Sequence, residues 1–454
     1  MKTSVVGLGK LGAPLAAVLA SKGHSVIGVD INEEFVRKVN AGEAPVFEPR
    51  LAEMIQENRE RLSATTDCRR AVLESDVTFI IVATPSDETK RFSLRYVFPV
   101  AETIGKAIAE KSSYHLVVLT STVMPGSCEK EVVPVLEEAS GKQCGVDFGL
   151  CYNPEFIALG SVVRDMLNPD FVLIGESDSK AGEILESIYD NLYEQNKSRP
   201  PVCRMNFINA ELSKLTVNTF VTTKISYANM LAGVCEKLPG ADVDVVTSAI
   251  GCDSRIGKKY LKGGLPYGGP CFPRDNVAFA TFACAVGAPA NVAEATDEIN
   301  RLRNIGIEEM ISSRLSNGGR VGILGLSYKA NTDVVEVSPG IALAKRLIEN
   351  GRPVVVYDPA AMNNARSELG DSVEYASSAV ECAGQASVLV VAVPWDEFRK
   401  LSANDLLQNG ERPTIIDCWR VLQSDDFTHA AEFLSLGMGP AAPALSEAVP
   451  ERVH

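Results

Sequence analysis

The sequence predicts an α/β protein in which two doubly wound domains are joined by a central all-helical segment with one long helix. Short apolar runs rich in β-branched residues alternate with helical patterns near both ends of the chain, and this strand pattern disappears in the middle. Such alternation is typical of parallel sheets covered by helices. We therefore predict domains at 1–203, 204–314 and 315–437. Residues 438–454 are rich in Pro, Ala and Gly, and we expect a disordered tail there.

Six apolar runs of strand length predict the sheet of the first domain. Their continuous hydrophobicity indicates strands buried on both faces, as in a parallel sheet. The runs cover residues 3–8, 25–30, 77–85, 114–122, 148–152 and 171–175. Helical patterns lie between them, for example over residues 12–22 and 96–111.

The middle segment begins with a helical pattern over residues 209–238 that contains no proline and stops before Pro239 and Gly240. A glycine-rich loop and further helical patterns follow it. Strand-like runs then return in the third domain, at residues 319–329, 352–359, 386–395 and 413–419. The alternation of these runs with helical patterns predicts a second sheet of the same type as the first.

Composition excludes several classes of protein. The chain has 454 residues and a formal net charge of −14, which argues against a nucleic-acid-binding surface. It has no apolar run of the ~18 residues that a membrane span needs, and its N-terminus does not resemble a signal peptide. Eleven cysteines without a CxxC pair predict neither a disulfide framework nor a metal site. We therefore expect a cytoplasmic protein without nucleic-acid or membrane partners.

A GxGxxG pattern formed by Gly7, Gly9 and Gly12 follows the first predicted strand and opens the first predicted helix. In a Rossmann-like domain these glycines permit a tight turn, close approach of a pyrophosphate and packing of helix on strand. Leu11 lies within the pattern, at the start of that helix. Asp30 ends the next strand, where a carboxylate accepts hydrogen bonds from ribose hydroxyls and repels a 2′-phosphate. The pattern therefore predicts a site for NAD rather than NADP.

Cys271 lies in a loop, residues 267–275, in which two glycines precede it and Asp275 follows it by four residues. Most NAD-dependent dehydrogenases need a base and a path for hydride, but no nucleophile. Considered alone, the loop favours a buried structural cysteine over a reactive thiol.

Together these features resemble the UDP-glucose, GDP-mannose and UDP-N-acetylhexosamine dehydrogenases over about residues 2–435. The motifs that carry the resemblance occur in all three predicted domains. They are Gly7–Gly12, Asp30, Val82–Pro85, Ser121–Val123, Asn153–Phe156, Lys214 with Asn218, Arg255–Gly257, the Cys271 loop and Gly325–Lys329. The resemblance implies two Rossmann-like domains and NAD-dependent oxidation of a sugar C6 alcohol to a carboxylate.

The resemblance also implies the catalytic residues. Cys271 would form a thiohemiacetal and then a thioester, which divides a four-electron oxidation into smaller steps. Lys214 and Asn218, four residues apart on one helix face, would stabilise the developing oxyanion. Asp275 would handle the alcohol proton.

Hydrolysis of the thioester would depend on Glu155 and Thr122, again by resemblance. The chain departs from the family pattern immediately after Glu155. Many members carry a second glutamate four residues further on, where this chain has Leu159. The identity of the hydrolytic base therefore rests on Glu155.

The family also implies the binding residues. Thr84, Pro85 and Thr122 would contact NAD in addition to Gly7, Gly9, Leu11, Gly12 and Asp30. The expected substrate-binding residues are Phe156, Lys214, Asn218, Arg255, Tyr260, Gly268, Lys329 and Arg420. The arginine equivalent to Arg255 reaches the neighbouring subunit in the family, which implies a homodimer built on the long helix.

The identity of the sugar is left open by the sequence. Pro270 precedes the cysteine where members acting on N-acetylated sugars often have histidine, and the sequence CFPRD resembles the UDP-glucose and GDP-mannose members. We favour UDP-glucose, with UDP-N-acetylhexosamine and GDP-mannose as the alternatives. Glu336 stands where many members have arginine, a second departure. Two other classes of protein are alternatives: a two-electron β-hydroxyacid-type dehydrogenase, which lacks the second Rossmann-like domain, and a non-catalytic nucleotide-sugar binder.

Overall fold

The computed structural model describes residues 1–194, 198–316, 318–406 and 412–441. Contacts group the chain into two compact units. The first comprises Met1–Asn218 and Val277–Pro289, and the second comprises Thr219–Asn276 with the described residues from Ala290 onward.

The first unit contains an eight-stranded sheet. Its strands are β1 (Lys2–Val6), β2 (Ser25–Val29), β3 (Leu62–Thr65), β4 (Val77–Ile80), β5 (Leu116–Leu119), β6 (Gly149–Tyr152), β7 (Val172–Glu176) and β8 (Val202–Met205). They are arranged in the order β3-β2-β1-β4-β5-β6-β7-β8. The order in which strands are added to the sheet reverses between β1 and β4, which run parallel to each other. Ligands of doubly wound sheets bind at such a point, outside the carboxyl ends of the strands.

The direction of β7 corrects one expectation. The run at 171–175 was predicted as a parallel strand, but β7 pairs with β6 in the antiparallel sense, Cys151 opposite Glu176 and Tyr152 opposite Gly175. All four residues of β6 and the first four of β7 are buried, as in a parallel strand. Because burial on both faces produces the same hydrophobic run in either direction, the sequence pattern does not report strand polarity.

Helices cover both faces of this sheet. They are α1 (Gly12–Ser21), α2 (Glu33–Asn40), α3 (Leu51–Glu57), α4 (Cys68–Glu74), α5 (Val97–Glu110), α6 (Val133–Ser140), α7 (Val162–Leu167) and α8 (Ser179–Tyr193). Alternate residues of a strand point to opposite faces. Accordingly, Val118 packs in the core that includes Leu15 of α1, whereas Val117 packs in the core that includes Ile104 of α5.

The predicted central helix is α9 (Phe207–Cys235), a single helix of 29 residues that belongs in part to each unit. Three more helices follow it: α10 (Val243–Ile250), α11 (Phe272–Ala285) and α12 (Asn291–Ser312). Pro239 and Gly240 lie just beyond the end of α9, as the sequence predicts. No strand occurs among the described residues between β8 and residue 320.

The second unit contains a six-stranded parallel sheet in the order β11-β10-β9-β12-β13-β14. Its elements are β9 (Val321–Leu324), α13 (Pro339–Glu349), β10 (Val354–Tyr357), α14 (Met362–Leu369), β11 (Glu374–Tyr375), α15 (Ala379–Gly384), β12 (Val388–Val391), β13 (Thr414–Asp417) and β14 (Glu432–Ser435). This order is that of a dinucleotide-binding Rossmann sheet. The predicted second Rossmann-like domain is therefore present.

The tail predicted at 438–454 begins too early. Gly439 N donates to Ala241 O at 2.9 Å and Gly240 N donates to Pro440 O at 2.8 Å, so this stretch is hydrogen-bonded to the turn after α9. The composition of the segment does not reveal these main-chain bonds. Residues 442–454 lie outside the described part of the chain.

Two further findings concern the class of protein. None of the helices described is both long enough and apolar enough to cross a membrane. All eleven cysteines lie in the described residues, and no disulfide joins any of them.

Candidate active site

The turn between β1 and α1 has the geometry that a dinucleotide needs. Gly7 has φ of 99°, a conformation that favours glycine. A Cβ at Gly12 would overlap the carbonyl oxygen of Gly7, which explains the close helix–strand packing, whereas a Cβ at Gly9 would meet nothing within 4 Å. Gly9 therefore leaves open space at the N-terminus of α1, where N–H groups and the helix dipole favour a pyrophosphate.

Asp30 lies directly after β2 and is oriented by this same turn. Its two carboxylate oxygens accept from Leu8 N at 2.7 Å and from Asn32 N at 2.8 Å. A carboxylate has about four acceptor positions, so further hydroxyls can still bind to it. Asp30 thus fits the ribose of NAD, and no cation follows at Ile31 or Asn32.

The loops after β4 and β5 meet at the same carboxyl edge of the sheet. Thr84 is buried, and its hydroxyl donates to the main-chain oxygen of Thr122 at 2.7 Å. Ser121 donates in the same way to Val82 O at 2.7 Å. Since β1 and β4 are adjacent, Thr84 and Pro85 lie at the switch point where the resemblance places the cofactor.

The loop after β6 presents Glu155. Asn153 fixes its start: its side chain donates to Leu173 O at 2.8 Å and accepts a hydrogen bond from the hydroxyl of Tyr189. The turn at the end of β6 is therefore held in place by the buried amide of Asn153. Phe156 packs against Phe171, with ring centroids 4.6 Å apart.

The environment of the Glu155 carboxyl changes its protonation. Removal of its carboxyl from water raises its pKa to about 7, and the Lys214 ammonium opposes that rise. Tyr189 and Tyr193 also face it, and their own pKa values are raised by burial and then by the Glu155 charge. A base with a pKa near the working pH is close to the optimum for proton transfer.

Leu159, the first departure, is accommodated as an apolar residue. It packs against the core beneath α1. A different acid holds the segment: Glu48, which is buried, accepts from Gly160 N at 2.9 Å and from Val162 N at 2.8 Å. No sequence motif identifies Glu48, because its partners lie more than a hundred residues away.

The face of α9 that carries Lys214 and Asn218 is buried, with 7% and 8% of these side chains exposed. Lys214 Nζ donates to the main-chain oxygen of Glu155 at 2.8 Å and lies 4.9 Å from the ring centroid of Phe156. Lys214 is therefore packed within the protein and does not lie on a solvated helix face. One turn earlier, Glu211 accepts from Gly126 N and Cys128 N, which ties α9 to the loop that carries Thr122.

In the second unit, Cys271 is exposed and immediately precedes α11. Its carbonyl accepts from Asp275 N at 2.8 Å, so the cysteine occupies the N-terminal end of the helix. Helix N-termini stabilise a thiolate. Asp275 lies in the first turn with its side chain buried, and Arg274 Nε is 3.5 Å from its Oδ1.

The other predicted substrate residues are placed as follows. Arg255 has a side chain 87% exposed, paired with Asp253 at 2.6 Å. Tyr260 adopts a φ of 63°, unusual for a non-glycine residue, and is partly exposed. Lys329 follows β9, with Nζ 5.9 Å from the ring centroid of Tyr328. The guanidinium of Arg420 pairs with Asp244 at 3.1 Å.

Gly268 has a structural reason of its own. A Cβ there would overlap the carbonyl oxygen of Val337, and a Cβ on Gly269 would lie 2.5 Å from the Tyr328 ring. Val337 itself has φ of 48°, an outlier for a β-branched residue. The Cys271 loop is therefore closely packed on the loop between β9 and α13.

The second Rossmann sheet has the same strand-to-helix turn as the first, but the acid at its ribose-binding position is not accessible. A Cβ on Gly340 would overlap Gly325 O, as a Cβ on Gly12 would overlap Gly7 O, so Gly340 occupies the position equivalent to Gly12. Asp358, the counterpart of Asp30, is 1% exposed and accepts from Leu326 N, Ser327 N and Ala361 N. Because the Asp358 carboxylate is buried and hydrogen-bonded to the protein main chain, this domain does not repeat the NAD site.

Two Rossmann sheets in one chain, of which only the first presents an acid to a ribose, define an oxidoreductase with a nicotinamide dinucleotide site and a second, different nucleotide domain. Comparison with known families gives the particular one. The NAD binding domain of the UDP-glucose/GDP-mannose dehydrogenase family matches residues 1–193, its central domain matches 208–302, and its UDP binding domain matches 322–424. The chain belongs to this family of NAD-dependent nucleotide-sugar dehydrogenases.

Individual relatives agree. The chain is 38% identical over 403 residues to the UDP-glucose 6-dehydrogenase AglM of Haloferax volcanii, covering 88% of this chain and 93% of that protein. It is 37% identical over 362 residues to the GDP-mannose 6-dehydrogenase of Pseudomonas aeruginosa, covering 79% and 81%. A solved UDP-glucose dehydrogenase from Pyrobaculum islandicum superimposes with a TM-score of 0.86 at 33% identity, covering 96% of this chain and 98% of that one.

Proposed function

We propose that this enzyme oxidises UDP-glucose to UDP-glucuronate with two NAD, through a thioester on Cys271. The observation that carries the proposal is an exposed thiol at the N-terminus of α11 in a chain that already has a complete NAD turn. A simple alcohol dehydrogenase has no use for such a thiol. The family membership and the UDP-glucose dehydrogenases among its relatives support the substrate.

The residues divide the reaction between them. Asp275 takes the proton of the C6 alcohol, and loss of a first hydride from C6 gives the aldehyde. Lys214 and Asn218 stabilise the oxyanion. The Cys271 sulfur then adds to the aldehyde carbon, giving a thiohemiacetal. Loss of a second hydride gives the thioester, and a water activated by Glu155 and positioned by Thr122 releases the carboxylate and the free thiol.

NAD supplies the hydride acceptor for both oxidations. Gly7, Gly9, Leu11 and Gly12 hold its pyrophosphate and Asp30 its ribose, with Thr84, Pro85 and Thr122 completing the site. Phe156, Arg255, Tyr260, Gly268, Lys329 and Arg420 bind the nucleotide sugar. In this proposal residues 1–203 bind NAD, residues 204–314 carry dimerisation and catalysis, and residues 315–437 bind the nucleotide.

A panel of nucleotide sugars tests the substrate. We expect kcat/KM for UDP-glucose to exceed that for GDP-mannose and for UDP-N-acetylglucosamine by at least about 100-fold, since a pocket built to hydrogen-bond one ligand rejects another strongly. The measurement is NADH formation at 340 nm for each sugar. A higher kcat/KM for either competitor would replace UDP-glucose in this proposal without affecting the chemistry.

We also propose a homodimer formed through α9. Large apolar side chains of this helix are exposed, namely Phe220, Tyr227, Met230 and Val234. An exposed cluster of large apolar side chains is typical of a surface that binds another protein chain. Sedimentation equilibrium should give twice the 48.7 kDa of one chain, and a mass of one chain would exclude the dimer.

The location that we propose is the cytoplasm. Eleven cysteines without a disulfide are typical of a reducing compartment. Fractionation of the producing cells checks this, since recovery of the enzyme outside the cytoplasmic fraction would contradict it.

A further inference from the structure

The segment that leads to Cys271, residues 263–270, has neither helix nor strand, and residues 263–269 are all buried. We call it the nucleophile loop. Buried main-chain N–H and C=O groups need hydrogen-bond partners, and an irregular loop cannot supply them from within. The side chains that satisfy them therefore decide where the loop lies, and with it the sulfur.

Asn229 of α9 binds the first half of the nucleophile loop. Its Oδ1 accepts from Gly264 N at 2.9 Å and its Nδ2 donates to Leu265 O at 3.2 Å. The side chain is 2% exposed. The Asn229 amide therefore makes the two main-chain hydrogen bonds, one as donor and one as acceptor, that a neighbouring strand would make in a sheet.

Asn300 of α12 binds the second half in the same manner. Its Oδ1 accepts from Tyr267 N at 2.8 Å and its Nδ2 donates to Tyr267 O at 3.0 Å. The hydroxyl of Tyr267 also donates to Asp297, one turn earlier on the same helix. Tyr267 is therefore held by α12 at three atoms.

Helix α12 also fixes the chain on the other side of Cys271. Asn276, the fifth residue of α11, is fully buried and donates from Nδ2 to Ala293 O at 2.9 Å. Only three residues separate Tyr267 from Cys271, and one of them, Pro270, has a fixed φ. The chain is therefore hydrogen-bonded to α12 on both sides of Cys271, at Tyr267 and at Asn276.

We propose that Asn300, together with Asn229, is a positioning residue for the Cys271 thiol. The two amides hold the nucleophile loop so that the sulfur stays at the N-terminus of α11 and in reach of the substrate carbon. Displacement of a reacting atom by about 1 Å can cost about 100-fold in rate. The inference rests on the proposed nucleophilic role of Cys271. Its test includes one measurement, the alkylation of Cys271, that does not depend on that role.

The test uses Asn300→Asp in the full-length enzyme. The variant retains an acceptor for Tyr267 N but sets a carboxylate oxygen against Tyr267 O, which repels it. We expect kcat to fall about 10- to 100-fold while KM for NAD changes little. We also expect the rate of Cys271 alkylation by iodoacetamide, followed by peptide mass spectrometry, to change in size and in pH profile. Asn363→Asp, at an exposed position of α14, is the matched control and should behave as wild type.

Tyr267→Phe is the milder second variant, since it removes only the bond to Asp297; we expect a smaller change in the same direction. A folded Asn300→Asp enzyme with wild-type kcat and wild-type alkylation would overturn the inference. So would a loss of kcat with unchanged alkylation, because the sulfur would then be in place. Failure of the proposed function gives a different result from failure of this inference. If the proposed function is wrong, the Cys271→Ser enzyme still forms carboxylate. The alkylation rate of the Asn300→Asp enzyme would then still report whether the amide positions the nucleophile loop.

Discussion

Replacement of Cys271 by serine is expected to abolish carboxylate formation while binding of NAD is retained. A serine hydroxyl at this position is not ionised at neutral pH, whereas a thiol at a helix N-terminus is a strong nucleophile. Loss of a covalent nucleophile typically lowers kcat by several orders of magnitude, and we expect at least about 1,000-fold. Chromatography of the products measures carboxylate, and calorimetry measures NAD affinity.

Cys284→Ser provides the control for this result. Cys284 is also exposed but lies near the C-terminal end of α11, whereas Cys271 immediately precedes its N-terminal end. It should retain wild-type turnover. If the Cys271→Ser enzyme still produced carboxylate at a comparable rate, the thioester route would be refuted.

Replacement of Glu155 by glutamine is expected to stop the reaction after both oxidations. The amide cannot take a proton from water, so the sugar acyl group should remain on Cys271. We predict a burst of NADH followed by a steady rate lower by about 100-fold or more. Intact-mass spectrometry during turnover should show the acyl adduct, and its absence with a normal steady rate would assign hydrolysis to another group.

The pH dependence of hydrolysis follows from the protonation of this carboxyl. Burial raises the pKa of Glu155 to about 7, so the base form is lost as pH falls below that value. The hydrolysis rate of the wild-type enzyme should then fall about tenfold per pH unit below 7 and level off above it. A pH-independent rate between 5 and 8 would contradict this assignment.

Stability should change in the opposite direction to activity. Because the folded-state pKa is raised from 4.5, the contribution of Glu155 to stability is present at low pH and is lost as pH rises through about 7. Glutamine removes that loss, so Glu155→Gln should melt no lower than wild type at pH 8. Glu183→Gln, an exposed position on α8, is the matched control. Unfolding of the glutamine variant at pH 8 would show that its inactivity has a structural cause.

The sequence predicts the central strands of both sheets but not the four edge strands. These are β3 and β8 in the first sheet and β11 and β14 in the second. Edge strands are covered less completely, and β8, for example, is only half-buried along its whole length. They therefore lack the continuous apolar run that marks a strand buried on both faces.

The site shows a similar division. Local patterns suffice for the Gly7–Gly12 turn and Asp30, because strand, turn and helix are contiguous in the chain. The family resemblance supplied Glu155, but the burial that sets its protonation comes from residues such as Tyr189 and Tyr193, far along the chain. The amides of Asn229 and Asn300 lie 35 and 33 residues from the atoms they bind. No pattern of spacing identifies such partners.

The ratio of NADH formed to nucleotide sugar consumed tests the central claim most directly. Complete conversion of a limiting amount of UDP-glucose in excess NAD should yield two NADH per sugar, with the carboxylate as the product and no aldehyde accumulating. A ratio of one, with aldehyde as the end product, would show a two-electron dehydrogenase and would contradict the role proposed for Cys271.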